Sequence, residues 1–399
     1  MAREVNREVA EKSLANKKVC ANLLDALLSN RSGKLIRAVA GGGRKHEGGL
    51  ATDESLFPGL PDDMALDIVA WISRSDYPTL ACLNTKFKSL IGSEYLYQLR
   101  RKLGIIEHWV FMACILTPWE AFDPARRRWM RLPRMPCDEC FTHADKESLA
   151  VGTDLLVFGR ELKGFAIWKY SLLSRDWSRN QHMNSPRCLF GSASVGEMAI
   201  VAGGCDLNGV VVQSAEVYNS ELGTWHPLAD LSGPRKMCSG FFMDGKFYVI
   251  GGMSSNAANY LSCGEEYDLG KGTWRKIENM YPAEFAGVNQ SLPSPPLVAV
   301  VNNELYTADV CRNEVKKYSK ANNTWSAVKA LPIRAGAANG WGMAFRGCGR
   351  RLLVIGGPGV EAAVMYSWEP QHGDLQDWNL LAVKQGAGSF VYNCAIMGC

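Results

Sequence analysis

Two periods of apolar residues divide the chain. From Leu56 to about Ile106 the spacing is helical. Pro61 followed by Asp62 and Asp63 suits a first helical turn, where proline's missing N–H costs nothing and carboxylates meet the positive end of the helix dipole. Met64, Ile68 and Ile72 then share one face, and Leu80, Leu83, Phe87, Leu90 and Ile91 form a second stripe with Asn84, Lys86 and Lys88 off it. Leu96, Leu99, Leu103 and Ile106 mark a third helix. Three short helices bury little surface by themselves, so such a unit needs a partner or a neighbouring domain.

From Trp109 onward the pattern turns to short strand-like runs, and it repeats. Trp129, Trp177, Trp225, Trp274, Trp325 and Trp378 follow one another at intervals of 48, 48, 49, 51 and 53 residues, which predicts six copies of one unit. Seven residues before each of the first five lies an aromatic: Phe122, Tyr170, Tyr218, Tyr267 and Tyr318. The segments between, such as Asn219-Ser220-Glu221-Leu222-Gly223, place turn formers between strand-like ends and predict hairpins. Apolar pairs three and six residues after tryptophan (Leu132/Met135, Leu228/Leu231, Ile277/Met280 and Val328/Leu331) are expected to fill the core between sheets. Strand-like runs ending in Gly203-Gly204, Gly251-Gly252 and Gly356-Gly357 predict tight bends where backbones crowd.

The copies are not identical. Phe158-Gly159-Arg160 and Tyr306-Thr307-Ala308 lack the glycine pair, and Tyr366 and Trp368 stand out of register before Trp378. Only three strand candidates precede Trp129 (His108–Ala113, Trp119–Asp123 and Arg128–Leu132), while a strand-like Gly388–Ala395 is left over at the far end. That last run is expected to complete the first sheet, which removes the exposed edges that invite aggregation.

A unit of this length, with strand, paired glycines, tyrosine and tryptophan in order, resembles the kelch repeat, whose copies stack as blades of a β-propeller. Leu60-Pro61-Asp62-Asp63-Met64 and Asn84-Thr85-Lys86-Phe87-Lys88-Ser89-Leu90-Ile91 resemble an F-box, which opens Leu-Pro-Asp and closes Trp-Arg-x-Leu-Ile. Phe87 and Lys88 stand where tryptophan and arginine are usual. With both motifs in this order, and with linking words such as Arg74-Ser75-Asp76-Tyr77 and Glu107-His108-Trp109-Val110, the chain resembles the Skp-interacting members of the plant F-box/kelch-repeat family.

The resemblance implies a mainly β protein: a disordered N-terminal tail (1–54), an F-box of three helices (55–106) and a six-bladed kelch propeller (107–399) whose first blade is closed by the C-terminal strand. It also implies a non-catalytic subunit without cofactor, the substrate-recognition part of an SCF-type (Skp–cullin–F-box) E3 ubiquitin ligase. Leu60, Pro61, Ile68, Leu83, Phe87, Leu90 and Ile91 would dock the Skp-type adaptor, and through it the cullin and RING subunits, the alternative for several of them being packing between the helices themselves. The propeller would hold a protein substrate for ubiquitination and proteasomal degradation. Its candidate contacts lie on the loops after the paired glycines and on those leading into each blade: Arg160, Arg187, Asp206, Asn208, Arg235, Lys236, Asn256, Arg312 and Arg334. The alternatives are a kelch scaffold with no part in degradation, or a metal-dependent kelch enzyme.

Composition narrows the partners. The 399 residues are 47% hydrophobic and 21% charged, with 39 glycines and 12 tryptophans, a balance that suits strands and tight turns around a sizeable core. Of the formal +4, the first fifty residues carry ten Lys/Arg against five Asp/Glu, so the rest is close to neutral. A neutral body without a run of basic residues argues against nucleic acid as the main partner. No stretch approaches the length of a membrane span, and the N-terminus lacks the apolar run of a signal peptide. Thirteen scattered cysteines are expected as reduced thiols in cytoplasm or nucleus.

Local chemistry adds little. Cys137-Asp138-Glu139-Cys140 with His143 has metal-like spacing but lacks the second pair that a structural zinc site wants, so a surface loop is expected there. Gly41-Gly42-Gly43-Arg44-Lys45 lacks the Gly-Lys-Ser/Thr ending of a phosphate loop and reads as linker.

Overall fold

Pro61 stands at the N-cap of α1 (Asp62–Trp71), with Asp62 and Asp63 in its first turn, as the helix dipole favours. The structure is a computed structural model that describes residues 56–57, 60–114, 117–144, 146–254, 260–282, 294–335, 339–357, 361–370 and 377–399. The expectation for the tail at 1–54 and the candidate Asn256 lie outside the described residues. The chain separates into two compact units, one holding Met1–Glu107 with Cys399 and the other His108–Gly398.

In the first unit α1 is followed by a 3-10 turn (Arg74–Asp76), α2 (Tyr77–Ala81), α3 (Thr85–Ile91) and α4 (Glu94–Lys102). The second predicted helix is therefore two. Asn84 is extended (φ −161°, ψ 171°) and its side chain accepts the Phe87 N–H at 2.8 Å, so it caps a new helix and breaks the stripe. The core gathers Ala65, Val69, Leu80, Phe87, Ile91 and Leu96 around a buried cation. Arg100 donates to the Ala70 and Ile72 carbonyls at 2.7 and 2.8 Å and to the Tyr77 hydroxyl at 3.0 Å, with the Glu107 carboxylate 3.3 Å away. Those carbonyls form the negative end of α1, so a single arginine ties α1 to α2. Burial pushes the Tyr77 phenol up to about 12.

The second unit is six four-stranded antiparallel sheets. The first joins β1 (His108–Cys114), β2 (Thr117–Asp123) and β3 (Arg128–Arg131); a short α5 (Glu139–His143) follows. The second comprises β4 (Glu147–Val151), β5 (Asp154–Glu161), β6 (Gly164–Ser171) and β7 (Asp176–Arg179). The third has β8 (Gly191–Val195), β9 (Met198–Ala202), β10 (Ala215–Asn219) and β11 (Thr224–Leu228). The fourth has β12 (Ser239–Met243), β13 (Lys246–Ile250), β14 (Gly264–Asp268) and β15 (Thr273–Ile277). The fifth has β16 (Val298–Val301), β17 (Glu304–Asp309), β18 (Glu314–Ser319) and β19 (Thr324–Ala330). The sixth has β20 (Ala344–Cys348), β21 (Arg351–Gly356), β22 (Ala362–Trp368) and β23 (Asn379–Gln385). The final strand, β24 (Val391–Gly398), pairs with β1, so the first sheet runs β24-β1-β2-β3. The strands β24, β4, β8, β12, β16 and β20 touch in sequence and close a ring, which makes the unit a six-bladed β-propeller.

The repeat spacing has a mechanical cause. Each of the first five tryptophans stands directly across the hairpin from the aromatic seven residues earlier: Phe122 opposite Trp129, then Tyr170/Trp177, Tyr218/Trp225, Tyr267/Trp274 and Tyr318/Trp325. Their ring centroids lie 4.7 to 5.4 Å apart. Each later indole N–H then reaches back one blade. Trp177 donates to Pro133 O, Trp225 to Gln181 O, Trp274 to Ala229 O, Trp325 to Met280 O and Trp378 to Ala330 O, at 2.7 to 3.2 Å. Trp129 has no earlier blade; instead Lys384 of the last blade lies over its ring at 4.3 Å. Apolar clusters fill the gaps between sheets, with Leu231, Met280 and Leu331 in successive ones.

The paired glycines also have a visible role. Gly203 and Gly204 take φ of 69° and 102°, and a Cβ on them would lie 2.4 Å from Arg235 O and 2.5 Å from Cys188 O. One blade on, a Cβ on Gly252 would lie 2.5 Å from Lys236 O, while one on Gly251 would meet the Pro296 side chain at 2.7 Å.

Candidate functional site

Each unit offers one candidate surface. In the helical unit, Phe87 and Ile91 are 2% exposed and pack inside it, which corrects their expected place at an adaptor interface: the residues that complete the motif also complete the core. Pro61 and Leu83 are exposed, and Leu60, Ile68 and Leu90 half-buried, so these five stay available. Sequence reasoning missed Met64, 53% exposed, and Tyr95. Of fifteen exposed large apolar side chains among the described residues, Met64, Leu83, Tyr95, Leu103 and Ile106 fall in this small unit.

On the propeller, antiparallel alternation puts the loops between second and third strands at the same end as the loops between blades. All the described substrate candidates stand on those loops or at their edges. Arg187 and Arg235, however, are buried and not presented, which corrects their expected place on the recognition face. Arg187 pairs with Glu216 at 2.7 Å and Arg235 with Glu265 at 2.5 Å. Both also donate to the carbonyls that end their blade's second strand, Gly203 O for Arg187 and Gly251 O for Arg235. They are straps that hold the glycine bends in place.

The remaining candidates reach the surface. Arg160, Asn208, Arg312 and Arg334 are exposed, and Asp206 and Lys236 half-buried. Three adjacent blades bring some of these together. The Gly204 N–H donates to Arg235 O at 2.7 Å, beside Lys236, and Leu207 reaches to 3.6 Å of a Cβ built on Gly164 in the second blade. Asp206 itself shapes its loop by accepting the Asn208 and Val210 N–H groups, both at 2.9 Å. Arg312 is anchored 3.5 Å from Asp309.

Beneath this rim the Cys188 and Cys205 sulfurs lie 3.6 Å apart, in a reciprocal backbone bridge. A hydrogen bond from Cys188, helped by the charge of Lys236, draws the Cys205 thiol down to about 7. No group of three or more His, Cys, Asp or Glu side chains able to hold a metal ion occurs among the described residues. In the Cys137–His143 stretch, Asp138 instead caps α5, accepting the Phe141 and Leu162 N–H groups at 2.8 and 3.0 Å. Those bonds hold its carboxyl below the usual range. The six inner strands surround a central cavity of about 540 Å³.

Comparison with known proteins follows this division. The F-box domain family matches residues 57–99 and the Kelch motif family matches 186–232 and 234–281. The chain is 48% identical, over 92% of its length and 89% of the relative's, to F-box/kelch-repeat protein At1g26930 of Arabidopsis thaliana. It belongs to the F-box/kelch-repeat protein family. F-box/kelch-repeat protein SKIP11 of the same plant is 52% identical over 88% of this chain and 77% of its own. For F-box/kelch-repeat protein At1g74510, also from Arabidopsis thaliana, the figures are 47%, 85% and 78%. The matched kelch copies are the third and fourth blades, where glycine pair, arginine strap and Tyr–Trp hairpin all occur together. The F-box match covers α1 to α3 and most of α4, and so includes the exposed apolar residues Met64, Leu83 and Tyr95.

Proposed function

We propose that this F-box/kelch-repeat protein is the substrate-recognition subunit of an SCF-type E3 ubiquitin ligase. The carrying observation is the exposed apolar surface of a helical unit that matches the F-box family over residues 57–99. A small unit that leaves Met64 and Leu83 in solvent is built to be covered, and in this reading a Skp-type adaptor covers it and bridges to cullin and RING subunits. The propeller contributes position, not chemistry. By holding a target lysine near the activated thioester carried by other subunits, it raises that lysine's effective concentration. The rim of Arg160, Asp206, Asn208, Lys236, Arg312 and Arg334 is a polar, rigidly mounted set of contacts suited to a protein surface.

The test is co-purification of the full chain with a recombinant Skp-type adaptor, and of a Leu60→Asp/Leu83→Asp variant of matched thermal midpoint. The wild type should form a stoichiometric complex that also retains a cullin, and the variant should lose at least about tenfold in affinity. A wild-type chain that captures no adaptor refutes the ligase reading. Capture without ubiquitination of any bound protein favours a scaffold.

A further inference from the structure

Cys188 and Cys205 face each other at a place where the fold requires no thiol. Each donates its backbone N–H to the other's carbonyl, at 3.0 and 2.8 Å, in an isolated antiparallel bridge. One blade on, Lys236 and Met253 make the same reciprocal bridge at 2.9 and 2.8 Å. The backbone bridge therefore belongs to the repeat, and the two sulfurs belong to the third blade alone of this pair.

Residues that exchange both hydrogen bonds have Cα atoms about 5.5 Å apart and side chains on one side of the ladder. That separation lies inside the range of about 4.4–6.8 Å that a disulfide spans. The sulfurs already lie 3.6 Å apart, so side-chain rotation with a small backbone adjustment brings them to a bond of about 2 Å. The chemistry agrees with the geometry. Either sulfur can donate in their contact, so either can carry the thiolate, and that hydrogen bond with the charge of Lys236 draws the Cys205 thiol down to about 7. Cys188 is half-buried and Cys205 only 6% exposed, so a small oxidant meets the pair at Cys188. Cys348 and Cys394 differ in kind, because burial pushes them up to about 12 and 11.

We propose that Cys188 and Cys205 are a site of reversible oxidation by peroxide, whose disulfide staples the rim loop after Gly203-Gly204 to the loop that enters the same blade. In the first step a thiolate attacks one peroxide oxygen; an S–O bond forms, the O–O bond breaks, and hydroxide leaves a sulfenic acid behind. The neighbouring sulfur, as thiolate, then attacks the sulfenic sulfur; the S–S bond forms, the S–O bond breaks, and a second hydroxide leaves. The two thiol protons turn both hydroxides into water, so the sulfurs give up two electrons and the peroxide takes them. A dithiol reductant reverses the modification by thiol–disulfide exchange. Cys205 adjoins Asp206, which shapes the loop presenting Asn208, so oxidation stiffens part of the recognition rim. The modification stands whether or not the ligase reading holds; only its effect on substrate capture rests on that reading.

Mass spectrometry of the full chain tests this. The reduced protein is treated with equimolar hydrogen peroxide at neutral pH, then unfolded in N-ethylmaleimide and cut with trypsin. Cleavage after Arg187 and Arg235 releases one peptide whose only cysteines are Cys188 and Cys205. That peptide should lose both maleimide adducts, weigh two hydrogens less than the dithiol, and stay joined after a further cut at Glu197, while Cys348 and Cys394 remain labelled. Dithiothreitol should restore both adducts. Amide hydrogen exchange over 206–212 should slow by about threefold or more on oxidation, because a stapled loop opens less often. In a Cys188→Ser chain, Cys205 should stop at the sulfenic acid and be trapped by dimedone. The mapping uses the wild-type chain, so it decides even if the variant fails to fold. Two retained adducts, unjoined sulfinic acids, or a disulfide to any other cysteine overturns the proposal, and a Cys188–Cys205 bond that leaves exchange over 206–212 unchanged overturns the stapling of the rim.

Discussion

Replacing Glu265 by glutamine keeps the shape of a fully buried side chain and deletes only its charge. In the native fold the carboxylate accepts Arg235 at 2.5 Å through Oε1 and the Ser232 N–H at 2.8 Å through Oε2, with both side chains almost wholly out of water. Glutamine can keep one of these bonds, but its amide N–H then faces a donor, and Arg235 becomes a buried cation held only by neutral groups, carbonyls and the Cys263 sulfur. Breaking such a pair from one side costs about 3–5 kcal/mol, a large share of the about 5–15 kcal/mol that holds a domain folded. With a urea slope near 3 kcal/mol per molar, the midpoint should fall by about 1–1.7 M. Intrinsic fluorescence reads this well, because every tryptophan except Trp71 lies in the propeller. An apolar double variant, Arg235→Met with Glu265→Leu, should recover only part of the loss, since it removes the widowed charge but leaves Gly251 O, Cys263 O and the Ser232 N–H without their partners. A loss below about 1 kcal/mol for Glu265→Gln, or a double variant as stable as wild type, would refute the account of Arg235 as a structural strap.

Three further outcomes follow from the same geometry. Trp274→Phe keeps the ring pair with Tyr267 but frees Ala229 O, which Trp274 Nε1 meets at 2.7 Å, and should cost about 1 kcal/mol in urea unfolding. Asn84→Ala removes the cap of α3 and should destabilise the helical unit by about 1 kcal/mol by circular dichroism melting, while the exposed Leu83→Ser should be nearly silent. Thiolate ultraviolet absorbance from Cys205 should grow as pH passes about 7, because its pKa is depressed. Cys238 and Cys394, pushed to about 11 by burial, should stay inert over that range; Cys188→Ala should move the Cys205 profile toward higher pH, and an unmoved profile would refute the hydrogen bond as its cause.

The blade frame was legible in the sequence because one residue type carries two constraints at once. Each tryptophan fixes hairpin register through an aromatic seven residues earlier, and from the second onward its indole N–H reaches a carbonyl 44 to 48 residues back, so the chain cannot lengthen a blade freely. The break at Asn84 was hidden, because the apolar stripe continues across two helices and only the cap distinguishes them. Arg187 and Arg235 mislead for a different reason, because in a linear sequence charge reads as a sign of surface. Yet they stand 38 and 39 residues before their blade's tryptophan, each with a glutamate 29 or 30 residues on, and a charge that recurs in register with the frame is part of the frame. The same logic runs in reverse for Cys188 and Cys205. No alternation or motif singles them out in the linear sequence, and only the backbone bridge shows that they face one another where the next blade has Lys236 and Met253. In a molecule built from repeats, polar residues that recur hold the blades, and those that occur once are free to make contacts of their own.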